Sequence, residues 1–114
     1  MAGFPALAAS TPRHQAHVVN NISGAGTMAV TDRINVVSIA SAYDLKLPAC
    51  ADCAGLLFSF TTTGAGQNVD LQDDNKSENY ESVNLGDTTG DDAIYLLLYS
   101  DGRKWWQIAK VMAP

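Results

Sequence analysis

Asp101-Gly102, set between two long β-prone runs, restricts the fold of this chain more than any other feature. The first run is Ala93-Ile-Tyr-Leu-Leu-Leu-Tyr99 and the second is Lys104-Trp-Trp-Gln-Ile-Ala-Lys-Val111. Glycine accepts the positive φ that a tight reversal needs, so the pattern predicts a hairpin over residues 93–111. Neither arm alternates between apolar and polar residues. Ile94, Leu96 and Leu98 share one face of the first arm, and Tyr95, Leu97 and Tyr99 share the other. On the second arm Trp105, Ala109 and Val111 oppose Trp106 and Ile108. A strand with one face in water carries a polar face. This hairpin is therefore expected to be covered on both sides, once by its own core and once by a partner. Strand register decides which tryptophan points inward, and a slip of one residue exchanges them.

Upstream, short β-branched runs recur between turn signals. Strands are predicted at Met28–Thr31, 34–40, 43–47, 56–63, 68–72 and 82–85, with a short turn or helical turn at 49–55. No helix of normal length is visible. A chain of 114 residues makes one domain with a modest core. The predicted class is all-β: a small antiparallel β-sandwich or barrel over residues 22–114. Before it runs an extended N-terminal arm, residues 1–21, in which Pro5 and Pro12 discourage helix. Two readings of the arm stand side by side: an unstructured terminus, or a strap ordered on a neighbouring subunit through Phe4, Leu7, Val18, Val19 and Ile22.

Charge narrows the function. Seven basic residues against twelve acidic ones give a net charge of −5, which argues against nucleic acid, whose phosphates are bound through Lys and Arg. Only 17% of residues are charged, against ~25% in an average domain. No stretch approaches the ~20 apolar residues of a membrane helix. The first residues lack the basic region of a signal peptide, and Pro5 interrupts them, so synthesis in the cytoplasm is expected.

Cys50-Ala-Asp-Cys53 and His14-Gln-Ala-His17 together offer four zinc ligands. The histidines lie in the arm, the order is reversed from a zinc finger, and no βαβ unit supports a redox site. Structural thiols are the preferred reading, with a disulfide or a metal as alternatives. The acidic stretch from Asp70 to Asp92 fails the EF-hand template, having Glu78 where glycine is required, and reads as a solvated face. No nucleophile–base order and no phosphate-binding loop is present. The chain is read as not an enzyme, with no catalytic residue, no metal and no cofactor. The aromatic hairpin reads as core and oligomer contact, with a carbohydrate platform as the alternative.

The layout also resembles a known group. Leu47-Pro48, a short turn, Ala54-Gly-Leu-Leu-Phe-Ser-Phe60, a glycine-rich reversal, a Val/Leu strand and a Gly-Asp turn precede Tyr95-Leu-Leu-Leu-Tyr-Ser-Asp-Gly-Arg-Lys-Trp-Trp106. This resembles small β-domains of tailed-bacteriophage virion proteins over residues 43–111. Such domains occur as modules of tail fibres and spikes, or as free-standing capsid decoration (cement) proteins. The chain starts with Met and ends just after its last strand, so the decoration protein is the reading taken. The resemblance implies a viral structural protein, homotrimeric, on the outer surface of the head. There it would bind the major capsid protein and stabilise the capsid. A tail-fibre or spike module recognising a host glycan is the alternative. The interface, to capsid or within the trimer, is expected to use Phe4, Leu7, Val18, Val19, Tyr95, Tyr99, Trp106 and Ile108.

Overall fold

The computed structural model describes residues 18–73, 83–88 and 92–114. Its elements are β1 (Val19–Ile22), β2 (Gly26–Thr27), β3 (Ile34–Ser38), β4 (Tyr43–Lys46), a 3-10 turn (Cys50–Cys53), β5 (Leu57–Thr63), β6 (Val69–Gln72), β7 (Val83–Leu85), β8 (Ala93–Ser100) and β9 (Trp105–Met112). The strands form one curled sheet, a half-barrel, in the order β1-β3-β5-β8-β7-β6-β4-β2, with β9 on the free side of β8. The all-β expectation holds.

Strand pairing is mixed, where antiparallel pairing was expected. β1, β3 and β5 lie side by side in parallel, and so do β2, β4 and β6. The chain alternates between these two flanks, adding one strand to each flank per turn of the winding. Parallel neighbours need a long crossover, usually a helix. Here each crossover contains a strand of the opposite flank, so parallel pairing needs no helix. The hairpin β8–β9 and the pairs β5–β8 and β6–β7 are antiparallel. β7 meets β8 in parallel at Leu85 and Ala93, which joins the flanks.

The core fills the inside of the curl. Phe58 and Phe60 of β5 alternate with outward Ser59, and Leu96 and Leu98 of β8 stand opposite them. From the other flank Leu45, Val69, Leu71 and Leu85 complete the cluster. Each such side chain contributes about 1.5–3 kcal/mol by leaving water. Asn35 is a buried polar residue of this interior, 1% exposed. Its Nδ2 donates to the carbonyls of Asp32 (2.9 Å) and Ser59 (3.1 Å), and its Oδ1 accepts from Nδ2 of Asn20, its register partner on β1. Stacked asparagines thus tie β1, β3 and β5 together.

Three local expectations change. Met28–Thr31 is not a strand: Asp32 Oδ2 accepts from the Ala29 N–H (2.8 Å) and the Asp32 N–H donates to the Ala29 carbonyl, closing a turn. The ordered sheet begins at Val19, within the stretch read as an arm, because Val19 and Ile22 register with Ile34 and Val37. Phe4, Leu7, His14 and His17 lie outside the described residues.

The acidic stretch is not all solvated. Asp92 is buried, and its carboxylate accepts from the Thr88 N–H (2.9 Å) and, with the Asn68 amide turned nitrogen-inward, from Asn68 (2.8 Å). Gly86 lies directly against this knot. A Cβ there would sit 2.5 Å from the Asn68 amide and from Asp92 Oδ2. Gly86→Ala is expected to destabilise the fold by about 1–3 kcal/mol through overpacking. A lowered urea midpoint with unchanged slope is the readout.

Candidate assembly surface

The outside of the β1-β3-β5-β8-β9 flank is uncharged and largely apolar toward β8 and β9. Cross-strand register builds it in rows. One row runs Leu57, Tyr99, Trp106; the next runs Val19, Ile34, Ser59, Leu97, Ala109; a third runs Asn21, Val36, Thr61, Tyr95, Val111. Ser38 and Thr63 extend β3 and β5 at one end. None of these positions is charged, although the chain carries −5 overall.

A bulge in β9 makes this face continuous. Leu98 pairs with Gln107 and Leu97 with Ala109, so Ile108 is the extra residue. Strict alternation puts Trp106 on the face opposite Ala109 and Val111; the bulge puts all three together. It also leaves β9 as an edge with large apolar side chains in water: Trp106 is 45% exposed, Ile108 56% and Val111 49%. Native edges are normally shielded by charge, proline or cover. Of the hairpin, β8 buries Leu96, Leu98 and Ser100 on its inner face and leaves Tyr95, Leu97 and Tyr99 half-buried on its outer face, while most of β9 is open to solvent.

Trp106 is held in place from its own turn. Its Nε1 donates to Asp101 Oδ2 (2.9 Å), and Lys104 Nζ lies 3.7 Å from the ring centroid. Asp101 Oδ1 accepts from the N–H groups of Arg103 and Lys104 (2.8 and 2.9 Å), and Gly102 takes φ +93°, as a tight reversal demands. The Trp106 hydrogen bond, then the backbone bonds from Lys104 and Arg103, hold the Asp101 carboxyl down to about 2. The contribution of these bonds is present above the ordinary carboxylate range and is lost as pH falls through about 2. An NMR titration of the Trp106 indole N–H is expected to show a midpoint near 2. A midpoint near 4 contradicts this geometry.

The sequence-predicted interface residues therefore divide. Val19, Tyr95, Tyr99 and Trp106 share the outer face, and Ile108 projects from the bulge at its edge. Val18 is exposed just before β1. Phe4 and Leu7 fall outside the described residues. Sequence reasoning missed Ile34 and Leu57; it put Leu97 on the Tyr95 and Tyr99 face but not among the interface residues. The alternation of Leu57 and Ser59 with Phe58 and Phe60 signals an outward face on β5. Nothing local signals that β3 lies beside it in parallel.

The other candidate chemistry is structural. Cys50 and Cys53 are free and buried on the 3-10 turn. Ser100 Oγ donates to the Cys50 carbonyl (2.8 Å), so the Cys50 thiol, 2.9 Å away, is the donor to Ser100 Oγ. Burial, then the neighbouring Cys50 and Asp52, push the Cys53 thiol up, opposed by Arg33; a thiol held protonated is a poor nucleophile. No group of three or more His, Cys, Asp or Glu among the described residues is placed to hold a metal ion. A depression of about 580 Å³ beside β1 is lined by residues including Asp32 and Arg33. Asp32 accepts from the Ala29 N–H and Arg33 Nε donates to the Leu57 carbonyl, so both are engaged by backbone. No helix among the described residues is long and apolar enough to cross a membrane.

In comparison with known proteins, no family model matches this chain, and no curated protein or solved structure matches it.

Proposed function

We propose that this chain is a structural assembly protein: a homotrimeric decoration protein on the outside of a tailed-phage head, contacting the major capsid protein. The observation that carries the reading is the uncharged outer face, bordered by the apolar edge of β9. Monomeric proteins rarely expose contiguous apolar patches of more than a few hundred Å², and larger ones mark interaction sites. The resemblance of residues 43–111 to phage virion β-domains supplies the kind of partner. Three linked copies multiply weak contacts into avidity on a repeating shell, and the negative charge elsewhere keeps an abundant protein soluble.

Two measurements together test the reading. Light scattering gives the assembly state, and co-sedimentation with expanded heads of the phage that encodes the chain gives the partner. A trimer that pellets with heads supports the proposal; a monomer that ignores them refutes it. The exposed Trp106 ring, steadied by Asp101 and Lys104, favours glycan binding as the second reading. Glycan-array binding that Trp106→Ala abolishes would move the assignment there.

A further inference from the structure

We infer that the free edge of β9 takes an extended, acidic segment of a partner protein as an added strand. This rests on the assembly reading above and names the kind of segment the partner offers. β9 runs for eight residues and, among the described residues, pairs with β8 alone. The other outer strands, β1 and β2, are four and two residues long. Along a sheet edge, alternate residues turn their N–H and C=O groups away from the sheet, and an extended chain supplies the matching groups.

The side chains on the two faces of β9 narrow what that segment carries. Trp106, Ala109 and Val111 stand on the outer face, whereas Gln107 and Lys110 register with Leu98 and Leu96 on the inner face. All five are exposed. Side chains alternate along a strand with period two. A segment of alternating apolar and acidic residues therefore meets Trp106 and Val111 on one face and Lys110 on the other. Charge along the hairpin points the same way. Residues 101–112 hold three of the seven basic residues, Arg103, Lys104 and Lys110, and one of the twelve acidic ones, Asp101. Lys104 keeps its ammonium 3.7 Å from the Trp106 ring centroid, at the start of the strand. The edge is thus cationic on a chain of net charge −5. Two β9 edges side by side set lysine against lysine, and like charges on facing strands destabilise the pair. The same lysines that turn away a second β9 attract an acidic strand.

The test uses the full-length chain and two fluorescent peptides, one alternating glutamate with valine and one alternating lysine with valine. Anisotropy gives affinity, and amide hydrogen exchange locates the contact. The glutamate peptide is expected to bind at least tenfold more tightly than the lysine peptide and to slow exchange along β9. Lys110→Glu, at an exposed position, is expected to erase that preference, and Lys110→Arg to keep it. N-methylating the glutamate peptide removes its backbone donors, leaves its charges and is expected to abolish binding. Near-UV circular dichroism identifies a variant that fails to fold, and the wild-type peptide comparison then decides. No binding, equal binding of the two peptides, binding that survives N-methylation, or unchanged exchange along β9 each overturns the inference. Protection of β9 without peptide that is lost on dilution places a second copy on the edge and also overturns it. Co-sedimentation with heads separates the two readings. A chain that takes the peptide but ignores heads refutes the phage assignment alone; one that pellets with heads but refuses the peptide refutes the edge alone.

Discussion

Trp105→Ala is expected to destabilise the fold by about 3–5 kcal/mol, the range for truncating a large buried aromatic. Trp105 is 3% exposed and stands edge-on to Phe58, ring centroids 5.3 Å apart at 80°. That contact ties the start of β9 to β5 across β8, so its loss opens a cavity where the hairpin joins the core. Trp106, one residue on, faces outward and is expected to cost little in an isolated chain. Urea denaturation of the two variants side by side checks this: equal losses would contradict the register. Trp105→Phe adds a finer point. Trp105 Nε1 is buried without a hydrogen-bond partner among the described residues, and phenylalanine removes that donor while keeping a ring. It is expected to cost clearly less than alanine.

Asn35→Asp is the second large effect, on the order of 3 kcal/mol or more at neutral pH. The change keeps the shape and replaces an amide that donates to two carbonyls with a carboxylate that donates to none. Two carbonyl oxygens would then face a buried negative charge. The folded state favours the protonated acid, which can still donate, so the new group's pKa rises on folding. A raised folded pKa gives stability that is present at low pH and lost as pH rises. The variant is therefore expected to regain stability on acidification through the carboxylate range relative to wild type. A difference between the two that does not change with pH contradicts the hydrogen-bond geometry assigned to Asn35.

The sequence carried the strands better than their arrangement. Short apolar runs mark these strands directly: β3 after Asp32-Arg33, β4 before Pro48, β5 between Gly55 and Gly64, and β6 after Gly66, while Asp101-Gly102 marks the closing hairpin. These are local signals. Parallel winding is not local: β3 pairs with β5 across an intervening β4 on the other flank. A run of short strands between turns looks alike whether neighbours pair as hairpins or in alternation. The turn at Ala29–Asp32 escaped for a similar reason, because Val30 has strand propensity while Asp32 closes the turn with its side chain.

The same limit governs the surface. Tyr95, Tyr99 and Trp106 were legible because the hairpin has no polar face. The bulge at Ile108 was missed, although Gln107 and Lys110, three residues apart, fall on opposite faces under strict alternation and share one face only with an extra residue between them. That single residue brings Trp106 onto the same side as Ala109 and Val111. Asp92 was hidden in the sequence among other acidic residues. Its burial depends on Gly86 and Asn68 arriving from two other segments.

Sedimentation equilibrium of the wild-type chain at micromolar concentration tests the assembly account most directly. The account predicts a single species of three times the 12.1 kDa chain mass, dissociating when Trp106 is replaced by alanine. A species of 12.1 kDa at every concentration, with the outer face still in water, would contradict it.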